Sequence, residues 1–335
     1  MSAGFCAVLK HCAAMSDMPV VIGATASVLR LDQRTLRVDF ADGAFKRFPL
    51  RLIDQIVVEG NPKIEAALCR RLSELGISMA LSAARGKAAV AWLGAGLGNH
   101  VELRANQHRV AFDSAQRLTV AKHFVRRKID GYQYSALAPR LDATLQDALR
   151  EARHSAKSAA DVPQLLGVEG AISKTWLAAL GGIIPDAWGF RGRSRRPPMD
   201  PVNALLSLAY TMLHGSVEQK IAASGLDPYI GFLHESYRRR AALPLDVMEP
   251  LRPLVDAFVI QQLVHLDAGR DFTATPQEGC RVSAEPRRRF YRDWYAWRET
   301  VACNGHSGLG ALIDAEISAL TAMLAQNLAQ EPAAQ

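Results

Sequence analysis

The sequence predicts an α+β protein: a small N-terminal β-rich domain followed by a larger all-α C-terminal domain. Three observations predict it. Apolar residues come in short alternating runs over 20–93, a glycine-rich stretch without bulky side chains except Leu97 follows at 94–99, and apolar residues then recur at helical spacing. At 335 residues the chain has room for two cores.

The elements follow in order. Val28, Leu29 and Leu31, then Leu36, Val38 and Phe40, then Phe45 and Phe48, form strand-like pieces separated by turns at Asp32-Gln33-Arg34 and Ala41-Asp42-Gly43. Another short strand covers 55–59. Over 62–75 the spacing turns helical, with Ile64, Ala67, Leu68, Arg71, Leu72 and Leu75 on one side and Gly76 placed to cap the end. A strand over 77–81 leads through a hairpin turn at Arg85-Gly86-Lys87 into 88–92. The stretch 94–99 lacks the strand–loop–helix setting of a phosphate-binding loop, so it reads as a linker. Helices are expected over 101–134, 141–158, 163–180, 201–213, 251–266, 285–302 and 309–328. The charged, Pro/Gly-rich segment 189–198 reads as a mobile basic loop. The expected division is an extension over 1–18, the β-rich domain over 19–94, a linker over 95–100 and a helical catalytic domain over 101–330.

Composition narrows the function. A hydrophobic fraction of 49% is ordinary for a soluble globular chain, and a net charge of +7 leans toward polyanionic partners. The basic residues cluster: Arg191, Arg193, Arg195 and Arg196; Arg238 to Arg240; Arg287 to Arg289 with Arg292; and Arg126, Arg127 and Lys128. These are solvated faces or a nucleic-acid surface. Cys6, Cys12, Cys69, Cys280 and Cys303 are odd in number and form no CxxC pair, so they read as reduced thiols of a cytoplasmic protein. No apolar run approaches the roughly 18 residues of a membrane span. Lys10, His11 and Asp17 interrupt the apolar run a signal peptide needs.

The chemistry concentrates in 225–253, GLDPYIGFLHESYRRRAALPLDVMEPLRP. His234 ends an apolar run and is a core histidine or a ligand. Asp246 and Glu249 precede another apolar run. Pro250 and Pro253 predict a helix starting near Glu249, because proline is tolerated where the N–H would be unbonded anyway. Glu249 would then sit at the helix mouth, as a capping acid or a ligand, and share a face with Arg252 and Asp256. Upstream, Glu169 is a lone carboxylate among Leu165, Leu166, Val168 and Ile172, so it needs a cationic side chain or a metal. Two carboxylates and an imidazole suit Mg²⁺ or Mn²⁺. Beside a basic wall such an ion serves phosphodiester chemistry. Arg193, Arg195, Arg196, Arg238, Arg239, Arg240 and Arg252, with Lys174 near Glu169, are the candidate phosphate contacts of a bound nucleic acid by charge. Phe290, Trp294, Trp297 and Val301 read as core, which turns Arg288 and Arg292 outward.

Several motifs match a known pattern: Gly60-Asn61, LGISMALSAARGKAAVAWL (75–93), LRANQHR (103–109), GVEGAISKTW (167–176), DPVNALLSLAYTMLHG (200–215) and GLDPYIGFLH…LPLDVMEPLRP. On these the chain resembles the CRISPR-associated integrases of spacer acquisition, the Cas-one family, over about 20–265. The resemblance implies that Glu169, His234 and Glu249 take the places of three metal ligands, with Asp246 as a supporting acid. His214 stands where many relatives carry a tyrosine, a supporting position. It further implies a metal-dependent DNA endonuclease and integrase that joins the 3′-hydroxyls of short duplexes, the spacer precursors, into a CRISPR repeat. No nucleotide cofactor would be needed, and the chain would act as a homodimer bridged by a Cas-two partner. A transposon-borne integrase of the same fold and a catalytically silent DNA-binding scaffold are the alternatives. Segment 271–283, the extension and the tail after 327 have no counterpart in the resemblance.

Overall fold

The computed structural model describes residues 18–23, 25–82, 91–93, 101–137, 143–195, 197–235, 241–275, 277–303 and 305–329. Its contacts divide the chain into two units, Met1–Gly96 and Leu97–Gln335.

The first unit runs β1 (Met18–Ile22), β2 (Ala26–Asp32), β3 (Thr35–Phe40), β4 (Phe45–Pro49), β5 (Ile53–Glu59), β6 (Lys63–Ile64), α1 (Ala66–Glu74), β7 (Ser78–Ser82) and β8 (Ala91–Leu93). The strands make two four-stranded sheets, ordered β4-β3-β2-β6 and β1-β5-β7-β8. The alternation seen in the sequence is core alternation: Leu29, Leu36, Ile56 and Val58 share a fully buried cluster with Leu68 and Leu72 of α1. Gly76 does cap α1. Its φ of +68° lets Ile77 N–H reach Leu72 O at 2.9 Å while its own N–H meets Ser73 O at 3.2 Å. The expected turn at 85–87, the linker over 95–100, and the expected extension except its last residue lie outside the described residues.

The second unit is mostly helical: α2 (Val101–Phe112), α3 (Ser114–Gln133), α4 (Ala143–Ser158), α5 (Val162–Gly181), α6 (Pro201–Ala223), α7 (Leu243–Met248), α8 (Arg252–Gln262), α9 (Ala284–Thr300) and α10 (Leu309–Ala329). Four departures from expectation matter. The single helix expected over 101–134 is split, because Asp113 accepts the Gln116 N–H at 2.8 Å and starts α3 afresh. The helix expected to start near Glu249 starts earlier, at Leu243. Pro244, Pro250 and Pro253 each fall in the first two positions of their own segments, α7, a 3₁₀ turn Glu249–Leu251, and α8. Glu249 is therefore inside a continuous helical run and not at an open helix mouth.

Two short hairpins accompany the helices, β9–β10 (Phe272–Thr275, Gly279–Val282) and β11–β12 (Ala302–Cys303, His306–Ser307). The first falls in a segment to which the sequence assigned no structure. It also corrects the reading of 189–198 as a mobile loop: Cys280 N–H bonds Pro198 O at 2.7 Å, and a Cβ on Gly279 would lie 2.3 Å from that oxygen. Asn203 completes the anchorage, donating to Gly192 O at 2.7 Å and accepting the Ser194 N–H at 3.1 Å. A charged segment can be held this way when one buried amide satisfies its backbone.

Lastly, α10 contains an apolar window, Leu309–Gln326, long enough by length and composition to cross a membrane, where the sequence suggested none. Leu312, Ile313, Ile317, Leu320 and Leu324 pack in the helical core, and Glu316 pairs with Arg127. Phe290, Trp294 and Val301 are buried as expected. Cys69, Cys280 and Cys303 are free thiols, while Cys6 and Cys12 lie outside the described residues.

Candidate active site

A cavity of about 960 Å³ opens in the helical unit, and Glu169, His234 and Glu249 all line it. They arrive from different elements. Glu169 is in the middle of α5, Glu249 in the 3₁₀ turn, and His234 in the irregular stretch before α7. What joins the two glutamates is Lys128 of α3. Its ammonium donates to Glu169 Oε1 and to Glu249 Oε2 in short hydrogen bonds, at 2% residue exposure. This is the cation that a carboxylate among apolar neighbours required. Ser173 Oγ donates a further bond to Glu169 Oε1 at 2.8 Å, and Arg252 Nε donates to Glu249 Oε1 at 2.9 Å. Burial opposes ionisation of Glu249, but the Arg252, Lys128 and His234 charges outweigh it and hold its pKa down to about 2.

His234 is positioned by Asp246, which is fully buried. The Asp246 carboxylate accepts Phe232 N–H at 2.6 Å, Leu233 N–H at 3.1 Å and His234 N–H at 2.9 Å, and it meets His234 Nδ1 at 2.8 Å. Nε2 is then the ring nitrogen left to meet a ligand. Burial lowers the imidazole pKa, but the Asp246 hydrogen bond and charge prevail and raise it above its ordinary value. Gly231 makes the tight approach feasible: an added Cβ would stand 2.7 Å from His234 O and 2.8 Å from Ala242 Cβ. Gln107 of α2 holds the other end of this stretch, donating to Asp227 O at 2.9 Å and Ile230 O at 2.8 Å and accepting Asp227 N–H at 2.8 Å.

Behind the glutamates lies a second polar layer. Asp256 Oδ2 accepts the Trp176 indole N–H at 2.8 Å, and its Oδ1 accepts a short bond from the Tyr210 hydroxyl. Burial raises the pKa of both Asp256 and Tyr210. Tyr210 thus keeps its proton and supports the wall, with the Arg252 guanidinium 4.7 Å over its ring. Tyr132 stacks on Trp176 with centroids 4.4 Å apart.

The remaining predicted residues fall into three groups. Lys174 and Arg195 are exposed and line the cavity. Arg193 and Arg252 also line it, and each makes contacts within the protein. Arg193 bonds Asn203 Oδ1 at 2.7 Å and Ser207 Oγ at 3.1 Å, and Arg252 Nε bonds Glu249 Oε1 at 2.9 Å, so both brace the site. Arg196, Arg238, Arg239 and Arg240 lie outside the described residues. His214 sits 3.5 Å from Glu218, and Tyr210, one turn earlier on α6, lines the cavity.

Sequence reasoning missed Lys128, Tyr210 and Tyr132. By sequence, Lys128 groups with Arg126 and Arg127 as a solvated face or a nucleic-acid surface. A signal was available: Ala121, Phe124, Val125, Ile129 and Tyr132 are buried along α3, and position 128 falls on that stripe. A lysine in an apolar stripe needs a buried acid.

The family model for CRISPR associated protein Cas1 matches residues 20–296. A CRISPR-associated endonuclease Cas1 of Thermus thermophilus is 33% identical over 252 residues, 73% of this chain and 74% of the relative. One of Rhodospirillum rubrum is 33% identical over 260 residues, 72% of this chain and 74% of the relative. Among solved structures, the Thermotoga maritima CAS1 protein TM1797 superposes with a TM-score of 0.81 at 24% identity, covering 92% of this chain and 97% of that one. A casposase bound to integration product gives a TM-score of 0.78 at 19% identity, with 92% and 91% covered. Both structural likenesses speak for the fold.

Proposed function

The chain belongs to the CRISPR-associated Cas1 family, and from that premise we propose a metal-dependent DNA endonuclease and integrase of CRISPR adaptation. It joins the 3′-hydroxyl ends of short DNA duplexes into the CRISPR repeat by transesterification. One observation carries the reading: carboxylates from two helical segments, Glu169 and Glu249, converge on one cation in a cavity that His234, Lys174 and Arg195 also line.

The donor set fits a hard divalent ion in kind. Two carboxylates are already turned toward a single positive charge, and an imidazole fixed through Nδ1 by a carboxylate is the arrangement metal-binding histidines use. Among the described residues, no three His, Cys, Asp or Glu groups stand at ligating spacing, and the Lys128 ammonium stands between the two glutamates. Glu169, His234 and Glu249 would hold Mg²⁺ or Mn²⁺, which when bound stabilises negative charge on the phosphodiester and eases deprotonation of the attacking hydroxyl.

The chain's own groups do the rest. Asp246 fixes the imidazole, Arg252 holds Glu249 in place, and Lys174 and Arg195 offer charge to phosphate oxygens. The 3′-oxygen of the incoming strand bonds phosphorus as the repeat's own 3′-oxygen leaves and takes up a proton. One phosphodiester replaces another, so no nucleotide is consumed. Double-stranded DNA, a second copy of this chain and a Cas2 subunit are the proposed partners, with dimer and Cas2 contacts on the β-rich unit, in the cytoplasm.

The test is integration of a short duplex into a supercoiled repeat plasmid with Cas2 and Mg²⁺ or Mn²⁺. Strand transfer by the native chain, abolished in folded E169A, H234A and E249A, is expected. Native activity in any of the three overturns the ligand assignment. Metal-independent DNA binding without strand transfer would favour a silent scaffold.

A further inference from the structure

Lys128 and a divalent ion make the same demand on the same atoms. The ammonium bonds Glu169 Oε1 and Glu249 Oε2, and it reaches them from within the helical core at 2% exposure. It is more than a charge in the neighbourhood, because it stands where a cation shared by both carboxylates would stand. Adding a doubly charged ion beside it would bring like charges together in a poorly solvated place, where repulsion is little screened. The two cations therefore exclude each other.

The surroundings suit an exchange. Glu249 Oε1 remains on Arg252 Nε at 2.9 Å and Glu169 remains on Ser173 Oγ at 2.8 Å, so both carboxylates stay oriented when the ammonium leaves. Lys128 is itself part of the cavity lining, so its flexible stem has open space into which the ammonium can turn.

Resting on the metal-site reading above, the geometry points to Lys128 as a built-in competitor for the metal: a divalent ion engages Glu169 and Glu249 only by displacing the ammonium into the cavity. Two consequences follow. The ion binds more weakly than the same donors would bind it without the lysine. The two like-charged carboxylates stay paired whether or not an ion is present.

The experiment titrates Mn²⁺ into the full chain and follows the free-ion paramagnetic resonance signal. K128M and K128Q should bind Mn²⁺ at least tenfold more tightly than the native chain. Equal or weaker binding in both means that the lysine only braces the fold, which overturns the inference. E169Q and E249Q separate the two layers of argument: if these bind Mn²⁺ as the native chain does, the metal-site reading itself fails. Should the lysine variants not fold, reductive methylation of the native chain answers instead. Lys128 should be modified several-fold faster with Mn²⁺ than without, and an unchanged rate refutes displacement.

Discussion

Replacing Asp246 by Asn changes no volume and removes one charge, yet it should be among the most damaging single substitutions in this chain. Oδ1 of Asp246 accepts the His234 N–H and faces His234 Nδ1, while Oδ2 accepts the N–H groups of Phe232 and Leu233. The three backbone partners are donors, and Nδ1 faces the same carboxylate. An amide supplies one oxygen and one NH₂, so whichever way Asn turns, its NH₂ faces one or two backbone N–H groups. A hydrogen bond to a charged group contributes about 1.5–3 kcal/mol, so losing one or two costs about 1.5–6 kcal/mol. That is a large part of the roughly 5–15 kcal/mol that keeps a domain folded. Urea unfolding of D246N against the native chain reads the cost directly. If the amide turns its oxygen to Phe232 and Leu233, the imidazole also loses its acceptor, and strand transfer should fall further than stability alone explains. A D246N protein within 1 kcal/mol of the native chain, with its activity intact, would refute the claim that this carboxylate builds the histidine's position.

Other expectations follow from the same geometry. G231A places a methyl 2.7 Å from His234 O, so it should lower stability by about 1–3 kcal/mol, read by calorimetry, and should suppress strand transfer. K174A and R195A should weaken duplex binding with folding intact, each reducing the slope of log affinity against log salt by about 1 if each side chain meets one phosphate. Glu316 is buried, and although burial pushes its pKa up, His123 and Arg127 pull it below the ordinary 4.5. A depressed folded value means stability that is present above 4.5 and lost as pH falls through the folded value. E316Q should therefore be less stable than the native chain at neutral pH, by about 2 kcal/mol, and the difference should shrink in acid. Denaturant titrations at both pH values check it.

How much of this was legible in the sequence depends on what each residue had to satisfy. Glu169 announced itself, because an acid among Leu165, Val168 and Ile172 has few ways to be stable. Its partner did not, because Lys128 stood beside Arg126 and Arg127 and was sorted by charge, when the burial period of α3 was the better guide. Asp246 and Glu249 were visible as a pair, but their division of labour was not. It depends on Pro250 and Pro253 falling at the starts of successive short segments, a tertiary outcome that single prolines do not dictate. His214 was named a supporting position by resemblance, while Tyr210, one helical turn earlier and lining the cavity, went unnoticed. The basic segment 189–198 looked unfit to pack because its fixed points, Asn203 and Cys280, are contributed by other elements.

The grip of Gln107 on the stretch before His234 bears on when a competent site can exist. Its amide bonds Asp227 and Ile230 across 120 and 123 residues of sequence, and Asp246 must then close the same stretch from the other side. On the ribosome, α2 emerges early and waits. A nascent chain that ends before α7 holds Glu169, Lys128 and His234 but lacks the carboxylate that orients the imidazole. The candidate site is therefore assembled late, after most of the helical unit has been made, and a chain that ends before α7 carries it unfinished.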